Sequence, residues 1–349
     1  MRANKNLTPV WIIYSDGKRL DLEHEGALQS ITVNDRLNGI GTFSIIFDTA
    51  EVKIREKGLI APGSELSIHL GYKDDVGEVF AGEAAAFQGV FPEAGAEQLE
   101  VSGRNILYRL GHASHYRSFE RKAPAEVIKG LIDIYSLKAE VDDFGAPKLF
   151  RLKEKITDYE YLMDQAKAYG KQVYASGRTI YVKNEISIRT DEVIYEWGKS
   201  LVSLKAGQDA DGLISGVDYI GWDNLTDESF VGKATLNDIP VKVGGSKYWT
   251  DVYKGGGGSH TTVDADLSSE DSDDAKQLAI GMLQSNSYMF AHAHGKGEGN
   301  YKLRPGMRVT LKMVGESYEG EYIAETVTHR FDHRNGYTAE FGLKRNMCP

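Results

Sequence analysis

Leu59-Ile-Ala-Pro62-Gly63-Ser-Glu-Leu66-Ser-Ile68-His-Leu70 is echoed near the C-terminus by Leu303-Arg-Pro305-Gly306-Met-Arg-Val309-Thr-Leu311-Lys-Met313. In both stretches a Pro-Gly turn feeds residues that alternate apolar and polar, the pattern of a strand with one buried face. The offset at the proline is 243 (62 to 305). Phe80-Ala-Gly-Glu83 then falls on Tyr322-Ile-Ala-Glu325 at 242, and Arg104-Asn105 on Arg345-Asn346 at 241. One such match is common in β proteins. Three in order at nearly constant offset read as two copies of one β unit in a single chain.

Working outward, the first copy occupies residues 1–110. Val10-Trp-Ile-Ile-Tyr14, Leu28 to Val33, Gly41 to Phe47, and the pair Leu99 and Val101 read as short strands between glycine turns, a small barrel or sandwich. Residues 111–196 change pattern. Pro124 opens a helix with apolar face Val127, Ile128, Leu131 and Ile132. Thr157-Asp-Tyr-Glu160 has the spacing of a capping box, Leu162, Ala166 and Tyr169 follow at helical intervals, and Gly170 ends the helix. A hairpin then runs from Val173 through Ser176-Gly177 to Val182. Strand signals return at Ser200–Leu204 and Gly212–Trp222, which align with Ser30–Asn34 and Gly41–Phe47 at an offset near 170.

The growth of the offset implies that the second copy is split, with pieces at 197–226 and 301–349 around an insertion at 227–300. That insertion carries the flexible run Gly255-Gly-Gly-Gly-Ser259 and a helix with apolar face Ala275, Leu278, Ala279, Met282 and Leu283. At the end of the chain Tyr337, Ala339, Phe341 and Leu343 alternate behind the Asn335-Gly336 turn. The expected fold class is α+β, mainly β: two similar antiparallel β-barrels with inserted α/β segments.

Composition limits the function. Hydrophobic residues are 41% and charged residues 26% of the 349, as in globular proteins. The net charge of −10, with scattered Lys and Arg, supplies no basic stripe for a nucleic-acid backbone. A single cysteine, Cys348, forms no disulfide within the chain, which fits a reducing compartment. No stretch approaches the ~20 apolar residues of a membrane helix, and the N-terminus has no signal-peptide core. Synthesis in the cytosol is expected.

Candidate chemistry is thin. His292-Ala-His294 puts two imidazoles on one strand face with Glu298 in the same parity, but no further ligand has zinc-like spacing; alternation at a strand start accounts for them. His112 and His115 lie three apart near a domain boundary. Asp264-Ala-Asp266 with Glu270, Asp271, Asp273 and Asp274 lacks the steps of an EF-hand, and acids at a helix start explain the run. Gly295-Lys-Gly-Glu-Gly299 precedes a strand, unlike a phosphate loop. No catalytic, cofactor-binding or metal residue is assigned.

Further motifs carry a family resemblance. They are Gly295-x-Gly-x-Gly-Asn300-x-x-Leu303-x-Pro305-Gly306-Met-x-Val309, then Gly320-Glu-Tyr322-Ile-Ala-Glu-Thr-Val327-Thr-His329, the Gly336-Tyr337-x-x-x-Phe341 strand, and Thr157-Asp158-Tyr159-x-Tyr-Leu162 in the middle. With these, most of the chain resembles the phage late control protein D family. Those are baseplate hub proteins of contractile tails, related to the hub half of type VI secretion spike proteins. The resemblance implies a homotrimer whose six barrels form a ring, adapting a sixfold tail tube to a threefold spike. It also implies a structural virion component rather than an enzyme, working in the baseplate of a phage tail or injection particle. The partners it implies are tail tube proteins, other baseplate proteins and a spike, expected as a separate protein because the chain stops after the second barrel. DNA or effector cargo would pass transiently through the channel, and the acidic charge would repel a polyanion if it lines the lumen. The alternatives are a tail-associated cell-wall-degrading enzyme and a carbohydrate- or receptor-binding β protein.

Overall fold

The computed structural model describes residues 8–20, 27–48, 58–73, 75–91, 93, 95–112, 114, 117–149, 151–153, 155–185, 192–223, 226–253, 261–265 and 269–349. The chain opens with β1 (Pro9–Ser15), β2 (Lys18–Arg19), β3 (Leu28–Arg36), β4 (Thr42–Asp48), β5 (Glu65–Tyr72), β6 (Asp75–Val90) and β7 (Gln98–Arg104). A middle segment follows with β8 (Arg117–Phe119), α1 (Pro124–Ile134), β9 (Lys138–Val141), β10 (Arg151–Lys153), α2 (Asp158–Ala168), β11 (Gln172–Ser176) and β12 (Thr179–Lys183). Then come β13 (Val193–Glu196), β14 (Leu201–Gln208), β15 (Gly216–Asp223), β16 (Glu228–Thr235), α3 (Trp249–Val252), β17 (Thr261–Ala265) and α4 (Ser272–Ser287). The chain ends with β18 (Ala291–Glu298), β19 (Arg308–Lys312), β20 (Gly320–Asp332) and β21 (Gly336–Arg345).

Among the described residues thirteen strands join in one sheet, in which the two halves repeat a strand order. The first half runs β3-β4-β7-β6-β5-β1 and the second β14-β18-β21-β20-β19-β13. The ladders are antiparallel except at the end of the second half, where β13 pairs β19 in parallel while β1 pairs β5 antiparallel. The mainly-β class expected from sequence is the one observed. The pairings among the described residues join the halves edge to edge, through β3 and β20, and record no pair closing β1 onto β3.

Local irregularities repeat as well. β6 bulges between Ala84 and Ala86, and β20 between Ala324 and Thr326. β3 bulges between Leu28 and Ser30, and β14 between Leu201 and Ser203. Gly63 N–H donates to the Ala84 carbonyl at 2.7 Å and receives its match when Gly306 N–H donates to Ala324 at 2.7 Å. Both glycines sit at positive φ, +87° and +86°, where a side chain is strained. A bulge shifts side-chain parity by one, so these landmarks set the true equivalence.

They correct three details of the sequence alignment. From the turn the offset is 243, but from the bulges β6 matches β20 at 240 (84 to 324), so Glu83 corresponds to Ile323 and Arg104 to Lys344. β3 matches β14 at 173 (28 to 201). The Gly212–Trp222 stretch is not the counterpart of Gly41–Phe47: β15 belongs to a separate sheet, β16-β15-β17, and β18 takes the place of β4. The insertion in the second copy therefore lies between β14 and β18. Alternation alone could not separate two strands with the same apolar period.

The two inserted regions share one core. Ile128, Leu131 and Ile132 of α1, Leu162 and Ala166 of α2, and Val173 and Ile180 of the hairpin pack in one cluster with Val217 of β15 and Ala275, Ala279 and Leu283 of α4. α2 begins as expected, with Thr157 and Glu160 exchanging hydrogen bonds. Its C-terminal turn crosses α4 so closely that a Cβ on Gly281 would lie 2.4 Å from the Ala168 carbonyl oxygen. Asp271 caps α4 by accepting from the N–H groups of Asp273 and Asp274. Asp274, fully buried, pairs with buried Lys148 and accepts from Tyr169 and from the Ala146 N–H. A buried carboxylate is tolerated only when paired and hydrogen-bonded in this way.

Candidate functional site

The joint between the halves is the feature that no ordinary β domain requires. β3 and β20 pair antiparallel over Arg36↔Thr326 to Ser30↔Asp332. The end of the β20–β21 hairpin reaches into the first half, and Phe331 and Tyr337 are members of its core with Ile31, Val33, Phe43 and Phe80. Phe331 is 4% exposed. Tyr72 of β5 donates from its hydroxyl to the Tyr337 carbonyl at 2.9 Å, and burial with nearby Glu298 pushes its phenol up to about 12. Burying a residue such as Phe331 contributes about 1.5–3 kcal/mol relative to leaving it in water.

A buried polar cluster locks the same joint to the middle region. Arg304, in the loop before β19, donates from Nε and Nη2 to the Tyr174 hydroxyl at 3.2 and 3.0 Å, and from Nη1 to the Glu78 carbonyl at 2.9 Å. The Tyr174 hydroxyl donates to Asp35 Oδ2 at 2.7 Å. Burial pushes the Asp35 carboxyl up, and Arg304 opposes that shift. His329 of β20 lies behind them with no exposed surface. Its Nε2 is 3.0 Å from the Leu303 carbonyl, which only accepts, so Nε2 carries the proton and Nδ1 accepts from the Tyr337 hydroxyl at 2.9 Å. Burial and the Arg304 charge hold its pKa down to about 3, so the imidazole is neutral.

Two stretches of the sheet lack the neighbour that their counterparts have. β14 pairs with β18 on one side and with no strand on the other, among the described residues. In β6, β5 covers the segment up to Glu83, and among the described residues 84–90 pairs only with β7. Phe91, directly after β6, is 74% exposed.

The residues singled out from sequence fall elsewhere. His292 and His294 project from exposed positions of β18 with ring centroids 6.3 Å apart, and Glu298 ends that strand. No group of three or more His, Cys, Asp or Glu able to hold a metal ion comes together among the described residues. His112 packs edge-on against Tyr108, while His115, Asp266 and the Gly255–Ser259 run lie outside the described residues. Asp264 is in β17, apart from the acids that start α4. The Gly295-x-Gly-x-Gly299 series makes room for rings: Cβ atoms there would lie within 2.4 Å of Phe341, Tyr195 and Tyr337. Cys348 is buried, and burial pushes its thiol up. Sequence reading missed the Asp35–Tyr174–Arg304 cluster, whose members are more than a hundred residues apart and share no spacing.

No curated protein matches the chain by sequence. Solved structures do match it in fold. A 43 kDa tail protein of prophage MuSo2 from Shewanella oneidensis aligns with a TM-score of 0.66 and 14% identity over 97% of this chain and 99% of its own. A tail protein from Neisseria meningitidis MC58 aligns at 0.68 and 12%, over 97% of each. The E. coli c3393 protein, described as a type VI secretion component similar in structure to the T4 tail proteins gp27 and gp5, aligns at 0.62 and 8%, over 95% and 76%. At these identities the likeness is one of fold. The family model described as Alg8 N-terminal domain matches residues 6–333, nearly the whole chain, and the protein belongs to that family.

Proposed function

We propose that this protein is a structural hub of a contractile tail or injection particle, a homotrimeric ring in which three chains present six similar half-sheets. The internal duplication carries the proposal. One chain already contains two copies in the same strand order, joined edge to edge by a β3–β20 ladder. Repeating that operation head to tail generates a closed ring if the rotation divides evenly, and two copies per chain make a threefold assembly look sixfold on one face. The fold shared with phage tail and type VI proteins supports the same reading.

In this reading the protein is not an enzyme. Its partners are itself, a tail tube, neighbouring baseplate proteins and a spike, with cargo passing through the ring. The chain divides into a first β domain through β7, an α/β domain from 111 to β12, and a second β domain of β13–β14 plus β18–β21. Residues 209–290 form the insertion and share their core with the α/β domain. Native mass measurement of the purified protein tests the ring: a trimer with sixfold-looking projections in negative stain is expected. A chain that stays monomeric at high concentration counts against it. Clearing of cell walls in a zymogram would favour the hydrolase alternative.

A further inference from the structure

Phe91 and Phe331 occupy the same place in the repeat, at offset 240, yet one is 74% exposed and the other 4% exposed. Phe331 is covered because β20 lies beside β3, opposite Ile31. The facing side shows the same contrast. Ile31 and Val33 of β3 have no exposed surface, whereas their counterparts at offset 173, Leu204 and Ala206 of β14, are only partly buried against the second-half core. Each half of a joint is thus present in the chain, uncovered, on a surface whose twin is covered.

We propose that β14 of one chain pairs with residues 86–91 of the next, repeating between chains the joint that β3 and β20 make within one. This rests on the ring reading and names its seam. Carrying the β3–β20 register through the two offsets gives Ala86↔Asp209, Phe87↔Gln208, Gln88↔Gly207, Gly89↔Ala206, Val90↔Lys205 and Phe91↔Leu204. Phe91 then enters the core that holds Leu204, as Phe331 enters the core that holds Ile31. The occupant is a second copy of this chain, because the two open edges complement each other and, among the described residues, do not pair with each other within one molecule. An unpaired edge strand is a ready template for strand addition, and the pairing satisfies backbone groups on both sides. Each chain offers one of each edge, so the contact is heterologous and closes only as a ring.

The test uses Gln88→Cys with Gly207→Cys in a Cys348→Ala background. Residues directly opposite in an antiparallel pair have Cα atoms about 4.5–5.5 Å apart, within disulfide reach. Mild oxidation is expected to give covalent trimers on a non-reducing gel. Gln88→Cys with Lys205→Cys, two residues out of register, is expected to give none. A second variant, Phe91→Glu, is expected to weaken trimerisation on the order of a hundredfold, as for a central aromatic anchor, while the circular dichroism spectrum stays that of the parent. A native-mass trimer that does not cross-link at 88 and 207 and tolerates Phe91→Glu overturns the seam and leaves the ring standing. A parent chain that is monomeric at high concentration removes the ring reading and the seam with it.

Discussion

The two halves of the sheet share a skeleton and almost nothing of their interiors. In the first half Phe43 of β4 fills the space above Gly103 of β7, where a Cβ would come within 2.6 Å of the ring. At the corresponding pair of the second half the sizes are exchanged, with Ala293 facing Leu343. One step along, Ile45 faces Val101 in the first half and Gly295 faces Phe341 in the second. Within each pair bulk moves from one partner to the other while identity is lost at both positions, as a close-packed interior allows. What resists this exchange is backbone geometry: the positive-φ glycines and the bulges persist because no repacking substitutes for them.

The comparison breaks most sharply where the halves meet. Arg304 corresponds to Ala61 at the turn offset, so one half carries a buried guanidinium where the other has an exposed methyl. Arg304→Ala is expected to cost about 3–5 kcal/mol in denaturant unfolding, since it leaves Asp35 and Tyr174 buried without their partner, whereas Ala61→Ser stays within about 0.5 kcal/mol. Phe331→Ala should cost about 3–5 kcal/mol, and Phe91→Ala, its twin, close to nothing in the isolated chain. Equal costs at the two phenylalanines would mean that Phe91 is already packed in the monomer.

His329 has Gly89 as its counterpart, so the first half carries no imidazole at that place. Its folded pKa of about 3 lies below the ordinary value of 6.5, so the unfolded chain binds the extra proton between those limits. Stability contributed by the neutral site is therefore complete above pH 6.5 and is lost as pH falls toward 3. From pH 6.5 to 5 the loss should be about 2 kcal/mol beyond that of His329→Gln, read as the difference in chevron or urea midpoints between the two proteins. A His329→Gln curve parallel to the parent would show the imidazole to be solvated. The smallest effect should be common to both halves. Gly63→Ala and Gly306→Ala place a side chain at positive φ and should each cost about 1–2 kcal/mol. Unequal costs would show that the shared turn bears different loads.

Local structure was legible from sequence wherever one residue type is demanded by backbone geometry. The Pro-Gly turns, the Thr157–Glu160 cap, the Gly170 stop and the Asp271 helix start are all in place. The mainly-β class followed from alternation. The register between copies did not, because the matching letters mislead: Glu325 lies two residues past Ile323, the counterpart of Glu83, and Arg345 one past Lys344, the counterpart of Arg104. A single extra residue in a bulge is invisible to a hydrophobic pattern. Missing too was the Asp35–Tyr174–Arg304 cluster, which exists only once three distant segments meet. Phe91 was readable in principle, had the copies been aligned on their bulges.

The β3–β20 ladder also dictates an order of birth. The first half emerges from the ribosome early, yet its core lacks Phe331 and Tyr337 until nearly the whole chain has been translated. The α/β domain likewise waits for α4, which supplies Asp274 as partner to Lys148. A nascent chain must therefore hold an uncovered β3 edge through most of its synthesis, and a truncated product keeps that edge for good. Completion of translation becomes a checkpoint written into the fold, passed only by chains able to shield their own first half.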